Sequence, residues 1–150
     1  EEAAHRGKIS IVRLYDPSLP EIEADQDHLH EAVQNILRNA VEATLAHTQS
    51  PQIQVETAFE TSFAIVRRDG SERAGRAIRV TIEDNGPGVP PEKKARMFVM
   101  FRSSKSGGRG LGLSVVNEIV SAHSGRIKVD SKPGLTRFSL YLPLPRTKKR

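Results

Sequence analysis

The segment that most restricts the fold of this chain is a strand pattern that ends in a run of glycine and proline. Ile78, Val80 and Ile82 alternate with other residues, and Asp84 continues the same face. Alternation with period two is typical of a strand that buries one face. The residues that follow, 85–90 (NGPGVP), stop a strand and form a turn. The segment therefore predicts a strand that directs one carboxylate into the interior or into a pocket.

A carboxylate in such a position has two interpretations. Burial is costly unless hydrogen-bond donors satisfy the charge, and the amino group of adenine is a donor that could do so, directly and through waters. Alternatively, Asp84 caps the turn through its own backbone, and the residues alone leave both interpretations open. Gly86 and Gly88 allow positive φ and a close approach of the backbone to a ligand.

Two asparagines on a predicted helix form a second candidate site. The helix follows the possible caps Asp25 and Asp27 and extends to about His47. Asn35 and Asn39 are four residues apart, so both project from the same side of the helix. An amide oxygen is a reasonable ligand for Mg²⁺ bridging to phosphates. The alternative is a polar helix edge exposed to solvent.

A glycine-rich loop, residues 108–113 (GRGLGL), opens directly into an apolar helical pattern. Its backbone amides could face a phosphate at the helix N-terminus, where the helix dipole also favours anions. The loop is neither a P-loop nor a dinucleotide fingerprint. Lys105 and Arg109 lie beside or within it and could neutralise phosphate charge. Phe98 and Phe101 flank this basic stretch, as anchors of a lid or as core residues.

The remaining pattern predicts an α/β fold of the α+β type, a two-layer sandwich in which helices cover one face of a mixed, mostly antiparallel sheet. Strands are predicted at 8–14 and from Ile53, with 63–66 either extending that strand or starting another. Residues 67–76 are expected to form a solvated hairpin loop. A short helix over 92–97, a helix from Leu111 to about His123 and a closing hairpin over 126–142 complete the prediction.

Composition limits the class of protein further. The 150 residues suit one domain, 1–150, cut from a longer protein, and there is no cysteine for a disulfide or a zinc–thiolate site. No apolar run reaches bilayer length and no signal peptide opens the chain, so we expect a cytoplasmic protein without membrane contact. The net charge of +5 favours anionic partners. Aromatic residues are only 5% and do not interleave with the charges, which argues against a nucleic-acid platform.

The motifs, in this order, resemble those of the histidine-kinase ATP-binding domain of the gyrase, Hsp90, histidine kinase and MutL superfamily, the Bergerat fold. Residues 35–40 (NILRNA) resemble its N box, 84–88 (DNGPG) its G1 box, 97–101 (MFVMF) its F box and 108–113 its G2 box. Residues 15–21 (YDPSLPE), 57–59 (TAF) and 123–127 (HSGRI) are similar to the nitrogen-regulation branch of these kinases.

The resemblance implies a role for each site residue. Asn39 would hold Mg²⁺, Asp84 would bind the adenine amino group, and Thr136 would support the water network around Asp84. Asn35 would lie beside the phosphates and, with Lys105, act in catalysis. Glycines would shape the adenine pocket and the phosphate side, which lies under a mobile lid of roughly residues 89–109. The full set of implied nucleotide-binding residues is Asn35, Asn39, Asp84, Gly86, Gly88, Lys105, Arg109, Gly110, Leu111, Gly112 and Thr136.

The resemblance also implies an activity and partners. The domain would bind Mg-ATP and donate the γ-phosphate to a histidine on a separate dimerisation domain, for relay to a response regulator of the NtrC type. A PII signal protein is a further implied partner. The isolated domain would be a monomer unable to phosphorylate itself, and the parent a homodimer. The alternative, an ATP hydrolase of the gyrase, Hsp90 or MutL type, requires a glutamate at the position of Asn35 to activate water.

Overall fold

The computed structural model describes residues 8–66, 68–100 and 111–145. The strands are β1 (Ser10–Leu14), β2 (Gln52–Val66), β3 (Glu72–Asp84), β4 (Arg126–Lys132) and β5 (Leu135–Pro143). The helices are α1 (Gln26–His47), α2 (Pro91–Met100) and α3 (Leu111–Ala122). Within these three ranges no helix is both long enough and apolar enough to cross a bilayer.

The five strands form one mixed sheet in the order β1-β2-β3-β5-β4. β1 and β2 pair in parallel, and the other neighbouring strands pair antiparallel. The parallel pair is possible because α1 carries the chain back across the sheet between β1 and β2. The predicted α/β sandwich with a mostly antiparallel sheet is therefore confirmed.

Helix α1 begins where its sequence supplies a cap. The Asp25 side chain accepts a hydrogen bond from the backbone N–H of His28, which satisfies one of the free donors of the first turn. Ala32, Ile36 and Ala40 are buried at three- to four-residue spacing and form the face that packs on the sheet. Of the two possible caps, Asp25 takes this role and Asp27 lies in the first turn, and the predicted end of the helix at His47 is confirmed.

The core lies between the helices and one face of the sheet. Residues that alternate along the strands reach into it, among them Ile53, Ile82, Phe138 and Leu140. Helix α3 closes the layer with Val116, Ile119 and Val120. Burying alternate residues on one face while the intervening residues stay polar is the expected pattern for a half-covered antiparallel sheet.

The hairpin of β2 and β3 corrects the prediction for residues 67–76. β2 continues through Val66, and Glu72–Arg76 belongs to β3, so the loop is shorter than expected. Gly75 lies against the Ile65 side chain, and a Cβ at position 75 would overlap its Cδ1. A bulge between Glu60 and Phe63 inserts one extra residue into β2. The closing hairpin of β4 and β5 agrees with the prediction.

Candidate functional site

Asp84 ends β3 and is almost fully buried, with 4% of its surface exposed. It lies opposite Thr136 of β5, which is equally buried. The Asp84 Oδ1 atom accepts a hydrogen bond of 2.9 Å from the backbone N–H of Gly86. The turn therefore gives the carboxylate one hydrogen-bond donor. Both predicted interpretations apply in part, because Asp84 is buried and also caps the turn.

The environment of Asp84 favours binding of a ligand that carries a further hydrogen-bond donor. Burial raises the pKa of its carboxyl above the ordinary value of 3.8, the Gly86 N–H opposes this, and the neighbouring Glu83 charge adds to it. A single backbone donor thus does not compensate for the loss of water. A ligand that offers a further N–H to this carboxylate would be bound more strongly than on an exposed surface.

A pocket of about 220 Å³ opens beside Asp84. Its polar wall consists of Asp84, Thr136 and Asn39, which come from three different elements. Its other walls are mainly apolar: Ala43, Pro87, Gly88, Val89, Met97, Leu113 and Phe138. A mainly apolar pocket with a few polar groups is a common form of small-molecule binding site.

The two asparagines of α1 are placed differently relative to this pocket. Asn39 is half-buried and lines it. Asn35 is also half-buried, one turn earlier on the same helix, but it does not line the pocket. Since a helical turn rises 5.4 Å, Asn35 could contact only a part of a ligand that extends beyond the pocket.

The two glycines after Asp84 are required by close contacts. A Cβ on Gly86 would lie 2.8 Å from Asp84 Oδ1 and 3.0 Å from the Cβ of Ala43. Gly88 has φ of 83° and would place a Cβ onto the carbonyl oxygen of Lys132. Both glycines therefore let the turn pack tightly against its neighbours, and Gly88 also lines the pocket.

Only part of the predicted phosphate side lies within the described residues. Lys105, Arg109, Gly110 and Phe101 lie outside the described residues. Leu111 and Gly112 are the first residues of α3, and Leu113 in the same turn lines the pocket. Of the predicted lid over residues 89–109, 89–90 precede helix α2 and 91–100 form it, so this helix is longer than the short one expected. Residues 101–109 lie outside the described part of the chain.

Sequence reasoning missed most of the apolar walls. Phe138 could have been found, because it follows Thr136 by two residues and so shares its face of β5. Ala43 likewise follows Asn39 by one helical turn. Val89 gave no periodic signal, since it sits in the turn and reaches the pocket only through the tertiary position of that loop.

The donors around the pocket do not form a complete metal site by themselves among the described residues. Within 8–66, 68–100 and 111–145, no group of three His, Cys, Asp or Glu residues could hold a metal. Mg²⁺ binds with few protein oxygens when phosphates supply others. Asn39 beside the pocket offers one such oxygen.

Comparison with known proteins defines the class. The family described as histidine kinase-, DNA gyrase B-, and HSP90-like ATPase matches residues 24–146, and the chain belongs to this family. Sensory histidine kinase/phosphatase NtrB of Vibrio alginolyticus is 41% identical over 97% of this chain and 40% of its own length. The protein of the same name from Escherichia coli O157:H7 is 39% identical over 91% of this chain and 37% of its own length.

Among solved structures, full-length ShkA in complex with AMPPNP superposes with a TM-score of 0.67 at 26% identity. The match covers 97% of this chain and 27% of that one. The predicted resemblance to a histidine-kinase catalytic domain of the nitrogen-regulation branch is therefore confirmed. The chain spans about two fifths of the length of the NtrB relatives.

Proposed function

We propose that this domain binds Mg-ATP and donates the γ-phosphate to a histidine on a separate dimerisation domain of a two-component nitrogen-regulation kinase. The observation that carries the proposal is the meeting of Asp84, Thr136 and Asn39 around one pocket with apolar walls. Membership of the ATPase family supports the nucleotide, and the NtrB relatives support the kinase branch.

The purine would occupy the pocket beside Asp84. Its amino group would donate to the buried carboxylate, whose raised pKa reflects an incomplete set of donors. The ring would lie between the apolar walls. One wall contains Val89 of the loop and Met97 of helix α2, and the other contains Phe138 of the sheet. Apolar contact supplies affinity here, and the carboxylate supplies orientation.

The metal and the phosphates would lie towards the N-terminal end of α1. Asn39 would hold Mg²⁺ through its amide oxygen, and Asn35, one turn further from the purine, would contact the phosphates. Lys105, Arg109 and the amides of Gly110 and Gly112 would neutralise the phosphate charge at the start of α3. Phosphoryl transfer requires mainly positioning and charge neutralisation of this kind.

Transfer to an external histidine agrees better with this chain than hydrolysis does. A hydrolase needs a group that takes a proton from water, and the amide of Asn35 cannot accept one. An imidazole nucleophile on another domain needs no base from this chain. The proposed partners, which rest on the resemblance to nitrogen-regulation kinases, are the dimerisation domain, an NtrC-like response regulator and a PII signal protein.

The proposal extends to organisation and location. Residues 1–150 would be the catalytic domain of a larger cytoplasmic kinase, monomeric alone and joined by its dimerisation domain in the parent. Size-exclusion chromatography with light scattering tests the first part, with one chain per particle as the expected result.

The decisive experiment has two stages. Calorimetric titration with ADP and AMPPNP should show binding that strengthens when Mg²⁺ is added. Radiolabelled Mg-ATP should then label the dimerisation domain of an NtrB relative mixed with this domain, and should not label either protein alone. Phosphate release by this domain alone that disappears in Asn35→Ala would instead favour the hydrolase.

A further inference from the structure

A serine outside the pocket connects two of the residues that line it. Ser131 is at the end of β4, and its Oγ accepts a hydrogen bond of 2.6 Å from the backbone N–H of Val89. The same Oγ donates to the Leu135 carbonyl at 3.2 Å and lies 3.3 Å from the Oγ1 of Thr136. Val89 and Thr136 both line the pocket, so one hydroxyl contacts both the loop wall and the sheet wall.

The distance between the two hydroxyls leaves the direction of their contact open, and the hydrogen bond from Ser131 to Leu135 assigns it. A serine hydroxyl has one proton, and the Leu135 carbonyl can only accept one. When Ser131 gives its proton to that carbonyl, the proton in the contact with Thr136 comes from Thr136. The Thr136 oxygen then presents only lone pairs to the pocket.

The pocket consequently has two acceptors on one wall. Asp84 and Thr136 are directly opposed in the β3–β5 register, and both are buried. An adenine amino group donates to such a wall. Guanine carries a carbonyl oxygen at the same ring position, and this oxygen would face two acceptors without a donor, which is costly in a buried site.

We propose that Ser131 is a positioning residue that holds Thr136 as an acceptor and thereby sets the preference for adenine over guanine. The inference rests on the proposed nucleotide function and adds to it a residue that is outside the pocket and that the motifs did not identify. Without the Ser131 hydroxyl, Thr136 is free to rotate and can donate to a guanine carbonyl.

The test is calorimetric titration of ADP and of GDP into four proteins: wild type, Ser131→Ala, Ser131→Thr and Ser139→Ala. Ser139 is the matched control, because it is a buried serine of the same hairpin on the opposite face of the sheet. We expect Ser131→Ala to bind ADP about fivefold more weakly, as the loss of one hydrogen bond predicts, while GDP binding is kept or improves. The ratio of the two affinities should return with Ser131→Thr and stay within about twofold of wild type in Ser139→Ala.

Several results would overturn the inference. An unchanged ADP-to-GDP ratio in Ser131→Ala, or an equal loss of both nucleotides, would reduce Ser131 to a structural residue. If Ser131→Ala does not fold, the weakly hydrogen-bonding Ser131→Cys replaces it, with an intermediate ratio expected and a wild-type ratio contradictory. A wild-type domain that binds neither nucleotide would instead refute the proposed function itself.

Discussion

Two neighbouring cross-strand pairs of the same ladder have opposite environments. Asp84 faces Thr136 on the helix-covered side, and Glu83 faces Arg137 on the open side. Arg137 Nε donates to Glu83 Oε2 at 2.8 Å, and this hydrogen bond raises the pKa of the Arg137 guanidinium. Asp84 has no cationic partner in the described part of the chain, and burial raises the pKa of its carboxyl.

The cavities on the two sides differ in the same way. A cavity of about 270 Å³ on the open face is larger than the one beside Asp84, but it is lined mainly by charged and polar side chains that largely pair with each other, as in Glu56–Arg79 and Glu83–Arg137. The cavity beside Asp84 is about 220 Å³ and mainly apolar. Size therefore does not single out the cavity proposed to bind the nucleotide; the distinguishing feature of that cavity is an incompletely satisfied carboxylate among apolar walls.

The largest difference between the two pairs should appear in ADP affinity when the negative charge of Asp84 or of Glu83 is removed. Asp84→Asn keeps an oxygen for the Gly86 N–H but loses the charge offered to the ligand. Because a hydrogen bond to a charged group contributes roughly 1.5–3 kcal/mol, we expect ADP affinity to fall about 10- to 100-fold. Glu83→Gln, the control on the open face, should change ADP affinity by less than about twofold. Isothermal titration calorimetry measures both.

The next largest effect should come from the helix side of the pocket. Asn39→Ala should weaken Mg-ADP by about fivefold, the contribution of one polar contact, and leave metal-free ADP nearly unchanged. Gln34→Ala, exposed on the same helix, is the control and should bind like wild type. If magnesium strengthens binding equally in Asn39→Ala and in wild type, Asn39 has no role in holding the metal.

A smaller effect concerns stability rather than binding. The pKa of Asp84 is raised in the folded state, so the folded chain holds a proton that the unfolded chain has already lost above about 3.8. Stability due to this residue is therefore greatest at low pH and decreases as pH rises through the folded-state pKa. Urea unfolding at about pH 4.5 and about pH 7 should show Asp84→Asn gaining stability relative to wild type at the higher pH. A gain that is the same at both pH values would contradict the burial of an ionised group.

The smallest effect should be on the open face. Arg137→Ala removes a half-exposed ion pair, so the free energy of unfolding should fall by no more than about 1 kcal/mol. Added salt should reduce the difference between variant and wild type, because it screens exposed charges. A loss of several kcal/mol, insensitive to salt, would mean that the two faces are more alike than their burial indicates.

Much of this contrast follows from the sequence, because period-two alternation assigns Asp84 to the covered face and Glu83 to the other. The cap at Asp25 and the helix bearing Asn39 follow from local rules as well. The length of β3 does not, because it depends on pairing with β2, which continues to the pair of Val66 and Glu72. The stacking of Phe63 on Tyr141, with ring centroids 5.6 Å apart, does not follow from the sequence either, because the bulge in β2 moves Phe63 to the open face.

The pocket was only partly predictable from the sequence, because a periodic pattern indicates a shared face but not the contacts that a turn makes in the folded chain. Residues joined by a periodic pattern, such as Asp84 with Ile82, could be assigned to one side. Contacts made by a turn, such as Val89 with Ser131, depend on where the β4–β5 hairpin meets the loop. Helix spacing put Asn35 and Asn39 on the same side of α1, and the structure adds that Asn39 lines the pocket while Asn35 does not.

The most direct test of the account is to map where ADP binds, by following backbone amide resonances of the domain during a titration. We expect the largest shifts at Gly86, Gly88 and Val89 around the buried carboxylate, and almost no shift at Asp130 and Ser139 on the open face. Large shifts on the open face, with none around Asp84, would contradict the account.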